Sequence, residues 1–375
     1  MKNKVTRVSL SLLIDTPFWR LKKNPADIRR IYLLAKHLNS CGYIDANIIS
    51  KKSVLRHRSD IHITQSRDYN FWIVNEKVIR AHHKKIVFTC SDALASHNIL
   101  SQAHKGDEPA AAQTITKEEY YKTQEYRFLN DICDMIIVGS ESQKRILIDY
   151  GVNTPIRVIE DFIDTIAYNF RAASILRNIR SIFYAKRNEV NIFWEGYIDN
   201  VPYLKVCSDA IAYAEKALGI KITVYIMTSR FRRNKFLGTT DNREIVYKIF
   251  GPSAKFVRWS RFLTTYYMSK SCIGLAPVFS NDCFANSKPP NKPIIYGYMG
   301  IVPLMSDIMS YQYFLKKTGV GVVVESDDEW GSGLVRAITL AQQRSASETH
   351  DRTIRHFGQS VIICKYLEYL RIESV

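Results

Sequence analysis

Short apolar runs alternate with amphipathic stretches along nearly the whole chain. The runs at 8–15 and 85–92 have the length and composition of buried strands, whereas 26–42 and 201–219 repeat apolar residues at helical spacing. Alternating strands and helices are typical of α/β sheets, so we predict an α/β fold. The polar stretch 96–116 fits neither pattern and is predicted to be a mobile loop.

The same pattern predicts the remaining elements. Strands are expected at 45–50, 71–75, 135–140, 156–161, 191–196, 221–227, 254–259, 272–278, 302–307 and 320–326. Helices are expected at 117–133, 141–151, 328–344 and 353–369.

The alternation is interrupted once, by a less regular and more charged stretch near the middle, which is where an inter-domain connection is expected. A chain of 375 residues is also too long for one ordinary core. We therefore predict an N-terminal domain at 1–170, a linker at 171–190, a C-terminal domain at 191–352 and a C-terminal helix at 353–375.

The charge is strongly basic, with a formal net charge of +17. The first sixty residues hold 13 Lys and Arg against 4 Asp, so the excess is concentrated at the N-terminal end. Such a surface suits an anionic partner, namely lipid head groups, nucleic acid or a phosphorylated substrate. The alternative is that the basic balance only aids solubility.

The seven cysteines are scattered and form no CxxC pair. This argues against a disulfide framework and a zinc site, and indicates a reducing compartment. The opening run ends at Asp15 and is better interpreted as a strand than as a signal peptide. No segment reaches 18 apolar residues, so any membrane contact is expected to be peripheral.

The segment Phe284–Asp307 carries the most specific chemistry. A basic turn, Lys288–Lys292, leads into the apolar run Pro293–Tyr298, and a second apolar run follows Gly300. A basic turn that begins a helix is an anion site, because cationic side chains and unpaired backbone N–H groups point the same way. The alternative is an ordinary loop with solvated lysines.

Several segments together resemble the GT-B glycosyltransferases, specifically the large retaining, family 4-like group of bacterial polysaccharide transferases. FANSKPPNKPIIYGYMGIVPLMSD is similar to the motif that the group carries after its donor-domain strand, and no single segment is decisive alone. The other similar segments are 86–92, 130–164, 192–204, 256–278 and 320–330.

The resemblance implies two Rossmann-like domains that face each other across a cleft, with the C-terminal helix crossing back to the N-terminal domain. The N-terminal domain would bind the acceptor and the C-terminal domain the nucleotide sugar. The implied reaction is retaining transfer of a sugar from a nucleoside diphosphate to a glycan or lipid-linked acceptor. The expected location is the cytoplasm, with peripheral contact at the inner membrane face through the basic N-terminal domain on anionic lipid.

Breaking the bond to the sugar builds negative charge on the diphosphate, and fixed cations lower that barrier. The sequence shows no spaced carboxylate pair, so we expect neither a metal nor a cofactor. Lys288, Lys292 and Arg230 are the predicted catalytic cations. The predicted donor-binding residues are Gly196, Trp259, Ser260, Asn291 and Tyr296, and the predicted acceptor or cleft residues are Asp92 and His97.

Each of these residues also has an ordinary structural interpretation. Arg230 would be a solvated loop residue, Gly196 a simple turn glycine and Trp259 a core tryptophan. The chain also departs from the family, because Ile295 occupies the position of a glutamate that holds the nucleotide ribose. Two alternatives therefore stay open: a DNA-modifying glycosyltransferase, and a GT-B-like binding or scaffold protein without catalysis.

Overall fold

The computed structural model describes residues 8–13, 28–40, 44–90, 116–183, 189–234, 238–279 and 286–372. The chain divides into two compact units. The first unit consists of three parts of the chain: the residues up to Asp164, a short segment that ends at Pro289, and the residues from Gly358 onward. The second unit consists of Thr165–Asp282 and Pro290–Phe357.

Within the described residues, the first unit contains one parallel sheet of six strands in the order β2-β1-β3-β4-β5-β6. Its strands are β1 (Val8–Leu13), β2 (Ile44–Ile49), β3 (Ser59–Thr64), β4 (His83–Cys90), β5 (Met135–Val138) and β6 (Ile156–Val158). Its helices are α1 (Leu33–Ser40), α2 (Lys51–Val54), α3 (Tyr69–Val74), α4 (Glu76–His82), α5 (Lys117–Tyr121), α6 (Gln124–Arg127), α7 (Glu141–Asp149) and α16 (Gln359–Leu370). π-Helical turns at Ile28–Tyr32 and Phe128–Ile132 adjoin α1 and α6.

The second unit contains a parallel sheet of the order β11-β8-β7-β12-β13-β14 and a separate hairpin of β9 and β10, counted over the described residues. Its strands are β7 (Glu189–Glu195), β8 (Lys221–Thr228), β9 (Phe231–Asn234), β10 (Gly238–Asp241), β11 (Ala254–Arg258), β12 (Ile273–Ala276), β13 (Val302–Ser306) and β14 (Val322–Val324). Its helices are α8 (Phe170–Phe183), α9 (Lys205–Leu218), α10 (Asn242–Phe250), α11 (Arg261–Lys270), α12 (Asn291–Tyr298), α13 (Met309–Thr318), α14 (Trp330–Gln343) and α15 (Ala346–Phe357). Numbered from β7 and leaving out the hairpin, the strand order is the 3-2-1-4-5-6 order of Rossmann folds.

The predicted α/β class with two Rossmann-like units is confirmed. The expected return of the C-terminal helix is confirmed as well, because α16 packs into the core of the first unit. Lys365 of α16 also pairs with the buried Glu160 at 2.6 Å. A second, fully buried ion pair joins Arg30 to Asp161 at 2.5 Å.

The predicted linker at 171–190 is not a linker. It contains α8, which lies in the second unit beside α11: the backbone N–H of Asn169 donates to Thr265 Oγ1 at 3.1 Å. The predicted tail helix is two helices, separated at Gly358, whose extended backbone ends α15 and precedes α16. The boundary between the second unit and the returning segment is therefore at 357/358 rather than 352/353.

Two errors concern the first sheet. The aromatic and β-branched run 71–75 was expected to be a strand, but it lies in α3, where the Asp68 side chain caps the helix by accepting from Phe71 N–H at 3.1 Å. The strand β3 was not predicted, because several of its residues are polar and interrupt the hydrophobic pattern. Ser59, His62 and Thr64 are nevertheless buried, since they hydrogen-bond within the unit. Most of the predicted loop at 96–116 lies outside the described residues.

Candidate functional site

The carboxyl ends of the strands in the second unit place several backbone groups and one amine together. β7 ends at Glu195, and the Gly196 N–H then donates to Met227 O at 3.2 Å. Thr228 Oγ1 donates to Gly196 O at 2.8 Å. These two bonds fix the turn after β7 against the end of β8. In open α/β sheets, ligands bind just outside this edge.

Lys292 lies in the first turn of α12, and its amine is next to this glycine turn. Its Nζ lies 4.5 Å from the centroid of the Trp194 ring, a cation–π distance. A Cβ added to Gly196 would lie 2.7 Å from the Trp194 ring and 3.3 Å from Lys292 Nζ. Position 196 therefore has no room for a side chain, and the amine is held beside a half-buried backbone turn.

The first turn of α9 is also close to this amine. Burial is the main cause that raises the pKa of the Cys207 thiol; Asp327 raises it further, and the charge of Lys292 opposes them. Cys207 is the third residue of α9 and Lys292 the second of α12. The charge of Lys292 therefore acts on the first turn of α9, and Lys292 itself belongs to the first turn of α12. Helix N-termini and a lysine amine together favour an anion.

Sequence reasoning missed a hydrogen bond directly before the glycine turn. Tyr168 donates its hydroxyl proton to Glu195 Oε1 at 2.5 Å, and both side chains are buried. Glu195 could have been found, because it belongs to the predicted strand 191–196 and precedes its glycine. Tyr168 carries no sequence signal, since it approaches from the segment before α8.

Arg230 lies just beyond the end of β8, as predicted, but in an exposed pair. Its Nε is 3.4 Å from Asp241 Oδ2, and its guanidinium lies 4.8 Å from the Phe231 ring centroid. Arg243 is closer to this carboxylate, with its Nη2 2.5 Å from Asp241 Oδ2. Hydrogen bonds from Arg243 are the main cause that lowers the pKa of Asp241 to about 2. The structure thus places Arg230 at the predicted edge, with its charge shared with a carboxylate.

Trp259 and Ser260 follow β11, the neighbour of β8. The backbone N–H of Trp259 donates to Thr228 O at 2.8 Å. Because 46% of the surface of Trp259 is exposed, it is not a core tryptophan. Ser260 is the N-cap residue of α11, and its carbonyl accepts from Thr264 N–H at 3.1 Å. Both residues therefore lie at the same sheet edge as Gly196.

Tyr296 is a core residue. It is fully buried, and its hydroxyl donates to Leu275 O at 3.1 Å. A Cβ at Gly274 would lie 2.4 Å from the Tyr296 ring, so the ring packs directly on β12. Burial raises the pKa of this phenol. Ile295 is buried as well, and the structure places neither residue at an open binding surface.

The predicted basic turn is divided between the units. Asn291 and Lys292 begin α12 in the second unit, whereas Lys288 is a half-buried residue of the first unit. There, Ser140 Oγ donates to Ser287 O at 2.7 Å. The structure therefore does not place the two predicted lysines in one unit. The predicted Asp92 and His97 lie outside the described residues.

In the part of the chain that the structure describes, no three His, Cys, Asp or Glu side chains are arranged to hold a metal ion. The same residues include no helix that is long and apolar enough to span a membrane.

Sequence comparison alone finds no relative: no protein-family model and no curated protein matches the chain. Solved structures do match. Anabaena HepE in complex with UDP superposes with a TM-score of 0.66 at 12% identity, over 97% of this chain and 99% of that one. Sucrose-phosphate synthase from Thermosynechococcus elongatus gives a TM-score of 0.63 at 12% identity, over 97% and 98% of the two chains.

WaaG, a glycosyltransferase involved in lipopolysaccharide biosynthesis, gives a TM-score of 0.58 at 12% identity, over 96% of this chain and 99% of that one. At such low identity the likeness is one of fold. It extends over both units, which agrees with the two Rossmann-like sheets. The chain therefore has the GT-B fold, the architecture of these structurally similar glycosyltransferases.

Proposed function

We propose that the protein is a glycosyltransferase that moves a sugar from a nucleoside diphosphate to a glycan or lipid-linked acceptor at the cytoplasmic membrane face. The observation that carries this proposal is the Lys292 amine beside the side-chain-free turn at Gly196. HepE, whose fold this chain shares, has been solved with UDP and with UDP-glucose. A nucleoside diphosphate is the class of donor that an amine and helix N-termini suit.

In the proposed reaction, the bond between the anomeric carbon and the diphosphate breaks, and the acceptor hydroxyl takes the place of the diphosphate. The leaving diphosphate gains negative charge, which Lys292 and the N–H groups of the first turn of α12 would stabilise. Gly196 would let the backbone approach the phosphates. We propose that transfer is retaining and needs no metal, because a fixed amine supplies the cation.

One observation supports a second candidate, a GT-B-like protein that binds its ligand without turning it over. Ile295 is buried in the core where the resembling family carries a glutamate that holds the ribose. A chain with an intact anion site and no ribose carboxylate would bind a nucleoside diphosphate weakly and leave the sugar in place. Turnover separates the two candidates directly.

The test is a thermal-shift screen against UDP, ADP, GDP and TDP, followed by hydrolysis of the corresponding nucleotide sugars. A ligand present at about 100 times its dissociation constant stabilises the native state by about 2.7 kcal/mol. We expect one nucleotide to raise Tm and its sugar to be hydrolysed equally well with and without a chelator. A Tm shift without hydrolysis would support the binding protein, and no shift with any nucleotide would contradict both candidates.

A further inference from the structure

Two neighbouring helices of the second unit turn apolar residues to solvent. Among the described residues, seven exposed large apolar side chains of this unit fall on α8, α11 and the short segments before them. They are Ile166, Ile175, Ile179, Trp259, Phe262, Leu263 and Tyr266. Isolated exposed apolar residues are ordinary, but a concentration on adjacent helices indicates an interaction surface.

The two helices lie side by side and run in the same direction. Just before α8 begins, Ala167 O accepts from Thr265 Oγ1 in the middle of α11 at 2.9 Å; near the ends of both helices, Arg180 Nη1 donates to Lys270 O at 2.9 Å. We call the outward residues of both helices the α8/α11 face: Ile166, Arg171, Ile175, Ile179, Phe262, Leu263, Tyr266 and Lys270.

Each helix presents a stripe at helical spacing. On α8, Arg171, Ile175 and Ile179 are four residues apart and all are exposed, with 55% of Ile175 and 48% of Ile179 open to solvent. On α11, Phe262 is 83% exposed, and Tyr266 and Lys270 follow at the same spacing. Both stripes thus combine apolar residues with a cation at one end.

The charge around this face is of one sign. Residues 165–183 contain no Asp or Glu but three basic residues: Arg171, Arg177 and Arg180. Residues 245–281 also contain no Asp or Glu but five basic residues: Lys248, Lys255, Arg258, Arg261 and Lys270. Helices that expose apolar and aromatic residues and carry basic but no acidic side chains are suited to the interface of an anionic membrane.

The positive charge continues into a cavity of about 340 Å³ at the carboxyl ends of the two helices. Four cations, Arg177, Arg180, Lys270 and Arg344, line it together with one carboxylate, Glu189. Arg177 Nη2 donates to Met299 O at 2.6 Å, and among the described residues neither Arg177 nor Arg180 pairs with a carboxylate. Their charge is therefore available to an anionic head group.

We propose that the α8/α11 face binds the surface of an anionic phospholipid bilayer, inserting Ile175, Ile179 and Phe262 at the head-group level. This differs from the sequence expectation, which assigned lipid binding to the basic N-terminal domain. This proposal rests on the proposed function only for the reason why the protein would bind a bilayer, namely that a lipid-linked acceptor resides there. Binding to lipid itself requires no turnover.

The experiment is co-sedimentation with phosphatidylcholine vesicles that contain or lack phosphatidylglycerol. We expect the wild type to bind only the anionic vesicles and to be released as salt rises, because exposed charges are screened. The triple variant Ile175→Ser, Ile179→Ser, Phe262→Ser should lower the partition coefficient about tenfold or more, since it removes most of the inserted hydrocarbon.

Two matched variants locate the surface. Val74→Ser with Ile148→Ser removes exposed apolar residues of the first unit and should leave binding within about twofold of the wild type. Lys52→Gln with Arg56→Gln removes exposed cations of the first unit and should weaken binding less than Arg171→Gln with Lys270→Gln does. The reverse order would overturn the proposal in favour of the N-terminal surface.

Three other outcomes would also overturn it: equal binding to neutral and anionic vesicles, unchanged binding of the triple variant, or a wild-type dimer in gel filtration that the triple variant abolishes. The last would make the face an interface between two copies of this chain. Sedimentation is measured without nucleotide sugar and hydrolysis without vesicles, so failure of this proposal is distinguishable from failure of the proposed reaction.

Discussion

The two parallel sheets have the same architecture but place their polar groups differently. In the first unit, polar groups are buried between elements: Arg30 pairs with Asp161, and Ser11 Oγ lies 2.7 Å from His62 Nδ1. In the second unit, the central strands bury apolar side chains, and the cation Lys292 lies where the strands end. The same fold thus places a charge between packed elements in one unit and at the carboxyl edge of the sheet in the other.

The energetic consequence is that comparable substitutions should have different effects in the two units. A buried charge that loses its partner destabilises the folded state, whereas a cation at a strand end is expected to affect ligand binding and turnover. Four predictions test this difference.

The largest effect is expected for Arg30→Met. It leaves the buried Asp161 carboxylate without its cation, and breaking such a pair costs about 3–5 kcal/mol. Hydrogen exchange of peptides from β1 and β4 should accelerate accordingly. The matched control is Lys84→Met, which breaks an exposed pair with Asp60 at 2.7 Å and should cost about 1 kcal/mol or less.

If Arg30→Met and Lys84→Met destabilise equally, the buried pair does not have the structural role assigned to it. The double variant Arg30→Met, Asp161→Leu sharpens the test, because replacing both charges with apolar groups removes the unpaired carboxylate and should restore most of the loss.

The next effect is expected for Lys292→Met, which should change function and leave stability nearly unchanged. Removing one group that stabilises charge in a transition state costs about 10²–10³ in kcat. Hydrolysis of the donor identified in the nucleotide screen is the measurement, with Tm recorded for the same samples. Lys316→Met, at an exposed helical lysine of the same unit, is the control. A drop in Tm without loss of turnover would assign Lys292 to the core instead.

Gly196→Ala should have an intermediate effect. The new Cβ would lie 2.7 Å from the Trp194 ring and 3.3 Å from Lys292 Nζ, so either the ring or the amine has to move. Overpacking of this kind costs about 1–3 kcal/mol, and we expect nucleotide affinity to fall about tenfold. Gly219→Ala, where nothing lies within 4 Å, should lower Tm through its positive φ but leave nucleotide affinity unchanged. Equal nucleotide affinities of Gly196→Ala and Gly219→Ala would contradict the assignment of the nucleotide site to the turn at Gly196.

The smallest effect concerns pH and the first sheet. Burial first, and then the neighbouring His83 and His57, hold the pKa of His62 well below its usual value. The unfolded chain therefore binds a proton that the folded chain does not. As far as His62 is concerned, the free energy of unfolding is therefore highest above about pH 6.5, the pKa of histidine in the unfolded chain. It falls as pH drops below that value, by at most about 1.4 kcal/mol per pH unit for one histidine.

Hydrogen exchange at pH 7 and pH 5, corrected for the intrinsic rate, should therefore show a loss of protection in β3. The loss in β8 should be smaller, because the second sheet lacks a buried histidine of this kind within the described strands. His62→Asn should reduce the pH dependence of β3. If β3 and β8 lose protection equally between the two pH values, the histidine is not responsible.

Much of the fold was predictable because parallel α/β sheets bury strands on both faces, and apolar runs mark them clearly. The errors have local causes. β3 was missed because its buried positions are filled by Ser59, His62 and Thr64; the first two bond Ser11 on β1, and Thr64 accepts from the nearby Ser66 N–H. The run 71–75 has the residues of a strand, but Asp68 caps it as a helix. The linker was misplaced because α8 carries Arg171, Arg177 and Arg180 among its apolar residues, so the segment looks charged and irregular.

The site was predictable only in part, and for related reasons. Gly196 and Lys292 could be named as candidates because strand ends and a basic turn are visible in the sequence, and the structure places the Lys292 amine close to Gly196. The sequence could not show whether Tyr296 belongs to the core or to a binding site, because one aromatic residue in an apolar helix does not reveal which side of the helix faces β12. Tyr168 was missed because its partner Glu195 is distant in sequence.

The sequence by itself determined the alternation of strands and helices, the basic charge and the order of the GT-B-like segments, because these depend on residue types at short spacing. Only the tertiary structure decided which residues share a surface. It divided the basic turn between the units, buried Tyr296, set Lys292 beside Gly196 and aligned α8 with α11. Contacts between distant residues depend on how elements pack, and no local pattern records that.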